Sequence, residues 1–155
     1  LVSERLYGVV EFDMTETILA LCRAESISTW AHLVTWYNKN FRMGETEEFT
    51  YENEKTDADA VNAIEVCRGE IRRLEALGRK GDTVIGDLIL SAEGIEILNR
   101  ISLYLRGAEG YCDREELRGI ISSWSERYSA AWLRDDKPSQ LWRLREFFAA
   151  IPDLK

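Results

Sequence analysis

Two pairs of glutamates have a spacing that could place a metal ion between helices. Glu65 with Glu70, and Glu93 with Glu96, can each lie on a single helical face, as the ligands of carboxylate metal bundles do. Such centres also take a Glu-x-x-His pair from each of two helices, and His32 is the only histidine of the chain. We therefore interpret the four glutamates as solvated helix faces and predict no metal site.

Motifs for nucleotide binding or nucleophilic catalysis are absent from this sequence. It contains no phosphate loop of the form G-x-x-x-x-G-K-[ST], no G-x-G-x-x-G and no nucleophile elbow of the form G-x-S-x-G. His32 stands at the head of an aromatic stripe, and no Ser, Cys or Asp is forced near it, which favours a core or boundary residue over a general base. We predict no catalytic residue and no cofactor.

The three cysteines, Cys22, Cys67 and Cys112, are widely spaced, and each has apolar neighbours on a predicted helix. They form no C-x-x-C motif, and a zinc site needs about four ligands. Because a free cysteine packs as a small hydrophobe, we expect buried free thiols. This use of cysteine favours a reducing, cytoplasmic compartment.

The charge balance argues against polyanionic partners. The 155 residues carry a formal net charge of −8, whereas nucleic acids and anionic membranes attract patches of Lys and Arg. No apolar run approaches the roughly 20 residues that span a bilayer, and the first residues do not form a signal segment. We therefore predict neither a nucleic-acid nor a membrane partner.

Apolar residues recur at steps of three and four over most of the chain, a pattern typical of amphipathic helices. The predicted fold class is all-α: one domain over residues 1–155, forming an antiparallel bundle of five to six helices. The stretch 6–12 is left unassigned between a short strand and an irregular lead-in. Capping residues, or proline in a first turn, predict helix starts at Asp13, Ser28, Thr56 or Asp57, Asp82, Asp113, and Pro138 or Ser139.

Residues 44–59 predict one long acidic loop between helices. They hold many carboxylates and a single lysine, Lys55. The order lacks the alternating Asp or Asn and central Gly of a calcium loop, which favours a solvated charge run over a metal site. We expect Phe49 and Tyr51 to hold this loop against the bundle.

A second predicted helix, beginning at Ser28, carries an aromatic stripe that we assign to the core. Trp36 lies off that stripe and is therefore the better candidate for an exposed ring that stacks on a sugar. No other residue of the sequence suggests a binding site.

The segment Ser123–Leu141 resembles the end of bacterial β-N-acetylhexosaminidases of glycoside hydrolase family 20. In that family a helix ending in Leu-Trp-Leu or a similar triplet is followed by Arg-Asn-Lys/Arg-Pro-Ser/Gly-Gly-Leu. Asp136 departs from the more common Asn, and Gln140 departs from the more common Gly. The opening, residues 4–8, also looks like the family's entry into this region. The matching residues are Trp132, Leu133, Arg134, Lys137, Pro138, Ser139 and Leu141.

This resemblance implies that the chain is a C-terminal helical domain, with a catalytic barrel of the same polypeptide upstream. The family uses a neighbouring Asp-Glu pair in the barrel and the acetamido group of the substrate as nucleophile, and no residue here matches that pair. The chain itself would then be a non-catalytic accessory domain that packs against the barrel. The alternative is an independent helical module for protein–protein interaction.

A structural junction is expected where the last two predicted helices meet. Its residues are Trp132, Arg134, Lys137, Pro138 and Trp142. Because Trp132 and Trp142 flank a proline-directed turn, we expect both rings to be largely buried between these helices. The carboxylates of Asp135 and Asp136, near Arg134 and Lys137, are expected to close the helix in solvent rather than to act as a catalytic pair.

Overall fold

The computed structural model describes residues 2–24, 56–79, 81–108, 113–135 and 141–150. Of these residues, 84% are helical and none lies in a strand, which confirms the predicted all-α class. The described helices, in chain order, are α1 (Val2–Tyr7), α2 (Met14–Ala24), α3 (Asp57–Glu75), α4 (Thr83–Leu105), α5 (Arg114–Asp135) and α6 (Leu141–Ala150).

Four helices start where the capping residues predict. At α2, Asp13 Oδ1 accepts the Thr15 amide at 2.9 Å. At α3, Thr56 and Asp59 form a reciprocal capping box: the Asp59 amide donates to Thr56 Oγ1 at 3.2 Å, and the Thr56 amide donates to Asp59 Oδ2 at 2.9 Å. At α4, Asp82 Oδ1 accepts the Val84 amide at 3.0 Å. Asp113 precedes α5 and accepts the Glu116 amide at 3.0 Å. These side chains satisfy amides that a helix N-terminus leaves without partners.

The ends of the long helices also agree with the sequence. Gly78, just beyond α3, adopts a φ of 64°, in the left-handed region where glycine carries no steric cost. The predicted end of α5 at Asp135 is confirmed. The last helix is described from Leu141, so its predicted start at Pro138 or Ser139 lies outside the described residues.

The stretch left unassigned in the sequence begins with Leu6 and Tyr7, the last residues of a short helix, α1. This helix is held by side chains from elsewhere in the chain. Ser3, only 4% exposed, donates its hydroxyl to Asp13 Oδ1 at 2.7 Å and accepts the Met14 amide at 2.9 Å. The Arg79 guanidinium donates to the carbonyl oxygens of Tyr7 and Gly8. These long-range contacts, rather than local propensity, hold α1 and its exit against the bundle.

Successive helices from α2 to α5 run antiparallel, as predicted. Met14, at the start of α2, clusters with Leu74 at the end of α3, and Leu74 clusters with Ile85 at the start of α4. At the opposite end of the bundle, Ile64 of α3 clusters with Leu103 of α4. The connections from α3 to α4 and from α4 to α5 are short, which favours antiparallel packing of these neighbours.

Small side chains fill the interface among α2, α3 and α4. Ala63, Cys67 and Ala92 are at most 3% exposed and form one cluster with Leu21 and Ala24. Because such side chains occupy little volume, helix backbones can approach one another closely.

Several predictions fall on other parts of the chain. The helix expected from Ser28, including Trp36, and residues 44–55 of the acidic loop lie outside the described residues. Asp57, Ala58 and Asp59, the last residues assigned to that loop, are instead the first turn of α3. The capping box at Thr56 is the physical reason, since it lets the helix begin inside the acidic run.

Candidate functional site

An aromatic column runs along α5. The ring centroids of Trp124 and Tyr128 lie 4.8 Å apart, and those of Tyr128 and Trp132 lie 6.0 Å apart, both in stacked geometry. Residues four apart on a helix lie on one face, so the three rings follow the steps of three and four that the sequence shows over most of the chain. From α6, Phe148 meets Trp124 edge to face at 5.9 Å.

Trp124 anchors α5 to α4 at the base of this column. The side chain is 7% exposed, and Nε1 donates to the carbonyl oxygen of Leu90 at 2.8 Å. A Cβ atom added at Gly94 would lie 2.8 Å from Trp124 Cζ2, closer than such atoms approach. Position 94 therefore requires glycine for the indole to lie flat on α4.

The expected burial of Trp142 is wrong. Its side chain is 49% exposed, whereas its neighbour Leu141 is 7% exposed. The face of α6 that contacts α5 includes Leu144, Phe147 and Phe148. Trp142 lies to one side of that face, since successive helical residues are about 100° apart. Trp132 is also only partly buried.

An ion pair ties the end of α5 to the start of α4. Arg134 Nη2 lies 2.8 Å from Asp87 Oδ2, with both side chains at least 40% exposed. The sequence predicts a local role for Arg134 beside Asp135 and Asp136, and this contact adds a bridge between helices. Lys137 and Pro138, the other junction residues, lie outside the described residues.

Five of the large apolar side chains that the structure exposes lie at one end of the bundle. We name this set the apolar end: Leu6 (67% exposed), Val10 (66%), Val84 (45%), Leu133 (50%) and Trp142 (49%). The contact between Val9 and Ile85 in one buried cluster places the exit of α1 at the start of α4. The pairing of Arg134 with Asp87 brings the end of α5 to the same place. Trp142 follows shortly afterwards, in the first turn of α6.

A charge network with a buried centre joins α3, α4 and α5. Glu96 Oε1 accepts from Arg68 Nε at 3.1 Å and from Arg100 Nε at 2.9 Å. Arg100 Nη1 also donates to Glu116 Oε1 at 3.0 Å, and Arg68 Nη1 to Glu65 Oε1 at 3.0 Å. Glu96 and Arg100 are the buried centre, whereas Arg68, Glu65 and Glu116 extend to the surface.

Arg100 stays charged within this network. Its burial alone would lower the pKa, but the hydrogen bonds and charges of Glu116 and Glu96 outweigh that effect and raise the pKa above its ordinary value. The residue is 6% exposed. A permanent buried cation of this kind must keep its carboxylate partners, since an uncompensated buried charge is strongly destabilising.

An open groove of about 490 Å³ lies beside this network, and we call it the charged groove. Its floor is on α4, where Glu93, Glu96 and Ile97 line it, and its walls are on α3 and α5. The walls include Arg68, Arg72, Gly119, Ile120, Trp124 and Arg127. This volume is within the range of small-molecule pockets.

Glu93 lines the groove, and one of its two carboxylate oxygens lacks a hydrogen bond. Arg127 Nη1 lies 3.0 Å from Glu93 Oε1 and 2.8 Å from Oε2. Only the contact with Oε1 has hydrogen-bond geometry, so Oε2, which is buried, is paired by charge alone. The ion pair compensates for the missing hydrogen bond, because a 2.8 Å approach of opposite charges is attractive in a partly buried site.

The glutamates with metal-like spacing serve as structural ion-pair partners. Glu65 and Glu96 pair with Arg68, Glu93 pairs with Arg127, and Glu70 Oε2 accepts the Thr17 hydroxyl at 2.7 Å. The interpretation as purely solvated faces is therefore too simple, because Glu96 and Glu70 are only 15% and 17% exposed. Within the described parts of the chain, no group of three or more metal-binding side chains comes together.

The prediction of buried thiols is confirmed for one cysteine and wrong for another. Cys67 is a free thiol with no exposed surface, as expected, whereas Cys22 is exposed on α2 and the expectation of burial is wrong there. Cys22 is next to the buried Leu21, so it falls just outside the face that contacts α3. Cys112 and His32 lie outside the described residues. None of the described helices is both long enough and apolar enough to cross a membrane.

Comparisons with protein-family models, with curated proteins and with solved structures found no match for this chain. The likeness to glycoside hydrolase family 20 therefore depends on the residue order of Ser123–Leu141 and of the opening segment.

Proposed function

We propose that this chain is a non-catalytic C-terminal helical domain of a glycoside hydrolase similar to β-N-acetylhexosaminidases, and that its apolar end packs against the catalytic barrel of the same polypeptide. The observation that carries this proposal is the coincidence of two features in one place. Leu133 belongs to the segment that resembles the family, Trp142 follows that segment directly, and both side chains are about half exposed.

The apolar end has the composition of an inter-domain contact. Exposed apolar side chains are ordinary when scattered singly, but a concentration at one place marks a surface that another structure covers. Leu6 and Val10 belong to α1 and its exit, which an upstream domain would adjoin. Arg134 and Asp87 would form a polar rim beside the apolar residues.

A scaffold role also agrees with the chemistry of the described side chains. The acidic groups in the centre of the bundle are held by arginine partners: Glu96 by Arg68 and Arg100, and Glu93 by Arg127. These ion pairs join neighbouring helices, which is a structural use of the carboxylates. In the proposed protein, the barrel supplies the catalytic Asp-Glu pair.

The first experiment is to read the coding sequence upstream of Leu1. The proposal requires a barrel with an adjacent Asp-Glu pair in the same frame. A start codon directly before Leu1 would contradict it and leave the independent interaction module, which would use the same apolar end to bind a separate protein.

The second experiment compares apolar-to-aspartate variants in the isolated chain and in the extended polypeptide. Leu133→Asp and Trp142→Asp should change the Tm of the isolated chain little, because these positions are exposed. In the extended polypeptide they should lower the Tm and separate the unfolding of the two domains. Leu19→Asp is the matched control, because Leu19 is 49% exposed but lies on the middle of α2. Equal effects of all three variants would contradict docking through the apolar end.

A further inference from the structure

We propose that Arg79 is a positioning residue for docking: its guanidinium group holds the exit of α1, residues 7–11, so that Val9 is buried while Leu6 and Val10 are presented to the partner domain. This inference rests on the proposed function, since the partner is the catalytic barrel of the same polypeptide. It assigns one part of the apolar end to a side chain that is 72 residues from Tyr7 in sequence.

One guanidinium group contacts the exit of α1 at three points. Arg79 Nη1 donates to the Tyr7 carbonyl oxygen at 3.2 Å, and Nη2 donates to the carbonyl oxygen of Gly8. Nη2 also lies 3.8 Å from Glu11 Oε2, and that oxygen accepts the Val10 amide at 3.0 Å. Because the donors of a guanidinium group lie in a rigid plane, these contacts fix the direction of the backbone as well as its position.

The backbone turns at the point where Arg79 contacts it. Gly8 has a φ of 62°, and its amide donates to the Glu4 carbonyl oxygen at 3.0 Å, which ends α1. A Cβ atom added at Gly8 would lie 3.4 Å from Arg79 Nη1, so the guanidinium group lies directly beside this turn. The next side chain, Val9, is 1% exposed and belongs to the buried cluster that joins α2, α3 and α4.

Core packing does not account for the whole of this segment. Tyr7 and Val9 pack against the buried cluster, whereas Leu6 and Val10 are 67% and 66% exposed, the highest values among the exposed large apolar side chains of the described residues. Apolar side chains held in water contribute nothing to folding until another surface covers them. A segment that is already fixed before the domains meet does not have to be ordered on docking, which lowers the entropic cost of the contact.

The test compares Arg79→Gln with a matched control, Arg106→Gln. Arg106 lies just beyond the end of α4, away from the apolar end, and pairs with Asp57 at 3.1 Å. Its side chain is 26% exposed, against 29% for Arg79. In the 155-residue chain, hydrogen–deuterium exchange of the Val9 amide should become about tenfold faster in Arg79→Gln and stay unchanged in Arg106→Gln.

Docking is measured as the slowing of amide exchange at Val84 and Trp142 in the extended polypeptide relative to the 155-residue chain. Neither residue contacts Arg79 in the contacts described above, so a change there reports the domain contact. Arg79→Gln should reduce this slowing about fivefold, and Arg106→Gln should leave it within about twofold. Arg79→Lys keeps the charge without the planar donors and should fall between, and it replaces Arg79→Gln in the comparison if the latter does not fold.

A combined variant separates positioning from general stabilisation of the fold. Leu6→Asp with Val10→Asp removes the proposed contact of the exit of α1 with the barrel and should also reduce the slowing at Val84 and Trp142. If Arg79 acts through that contact, Arg79→Gln added to this pair should have little further effect. Fully additive effects would show that Arg79 acts on the bundle in general and would overturn the inference.

Circular dichroism melting of each variant establishes that it is folded before exchange is compared. Reduced slowing in Arg79→Gln that disappears in the combined variant would support the inference. Unchanged slowing in Arg79→Gln, while Leu133→Asp abolishes it, would overturn the role of Arg79 and leave the proposed function intact. No slowing in the unsubstituted extended polypeptide would contradict the proposed function, and this inference with it.

Discussion

The two sides of α4 are packed by different means. Toward α2 and α3, the interface consists of Ala24, Ala63, Cys67 and Ala92, each at most 5% exposed. Toward α5 and α6 it consists of large rings around Trp124, with ion pairs such as Arg127 to Glu93 beside them. We call these the small-residue side and the aromatic side.

This difference explains where the candidate sites lie. Small residues let helices approach closely and leave little room between them. On the aromatic side, Trp124 and Arg127 line the charged groove between α3 and α5, and Trp142 of α6 is half exposed. Both the charged groove and the apolar part formed by Leu133 and Trp142 belong to the aromatic side.

The largest expected effect comes from removing the anchor of the aromatic side. Trp124→Ala deletes a ring that is 7% exposed and its hydrogen bond to Leu90. It should lower the free energy of unfolding by about 3–5 kcal/mol, measured by urea denaturation. A loss below about 1 kcal/mol would contradict the view that this ring holds α5 to α4.

A larger side chain on the small-residue side should destabilise the fold. Ala92 has no exposed surface, so Ala92→Leu forces α3 and α4 apart and should cost about 1–3 kcal/mol. Cys67→Ala removes one sulfur from the same cluster and is the control, with an expected loss of about 1 kcal/mol. An unchanged Tm for Ala92→Leu would show that this interface has spare volume.

Removing either tryptophan of the junction should cost less stability than removing Trp124, because Trp132 and Trp142 are more exposed. Trp132→Ala loses one stacked neighbour, Tyr128, and should cost about 1 kcal/mol. Trp142→Ala should change the stability of the isolated chain by less than about 0.5 kcal/mol. Thermal melting of both variants checks this order, which a loss of several kcal/mol at Trp142 would reverse.

The smallest expected effect concerns Asp13 and is a change in its titration. The Ser3 hydroxyl, followed by the Thr15 amide, holds the pKa of Asp13 below its ordinary value. Because the folded pKa lies below the unfolded one, the stabilisation is present above the unfolded pKa and is lost as pH falls through the folded pKa. In Ser3→Ala the pKa of Asp13 should rise, as followed by NMR titration of the carboxyl. An unchanged pKa would contradict the role of Ser3.

Local signals in the sequence predict most of the described helices. Thr56, Asp82 and Asp113 have side chains that can cap a helix without help from the rest of the chain. Gly78 ends α3 by its own backbone preference. Such effects act within a few residues, so they can be read before the tertiary structure is known.

Features that depend on distant contacts could not be predicted in this way. The helix α1 is held by Arg79 and by the bond from Ser3 to Asp13. The exposure of Trp142 depends on which face of α6 contacts α5. Leu141 and Trp142 are both apolar and lie on different faces of the helix, so the sequence alone does not decide which of them is buried. The ion pairs beside the charged groove join different helices, and no local pattern encodes them.

Hydrogen–deuterium exchange of the isolated chain and of the upstream-extended polypeptide tests the central proposal most directly. If the apolar end packs against a catalytic barrel, amides around Val10, Val84 and Trp142 should exchange more slowly in the extended polypeptide, while those in the middle of α2 near Leu19 should not change. Equal exchange at the apolar end in both proteins would contradict the proposed docking.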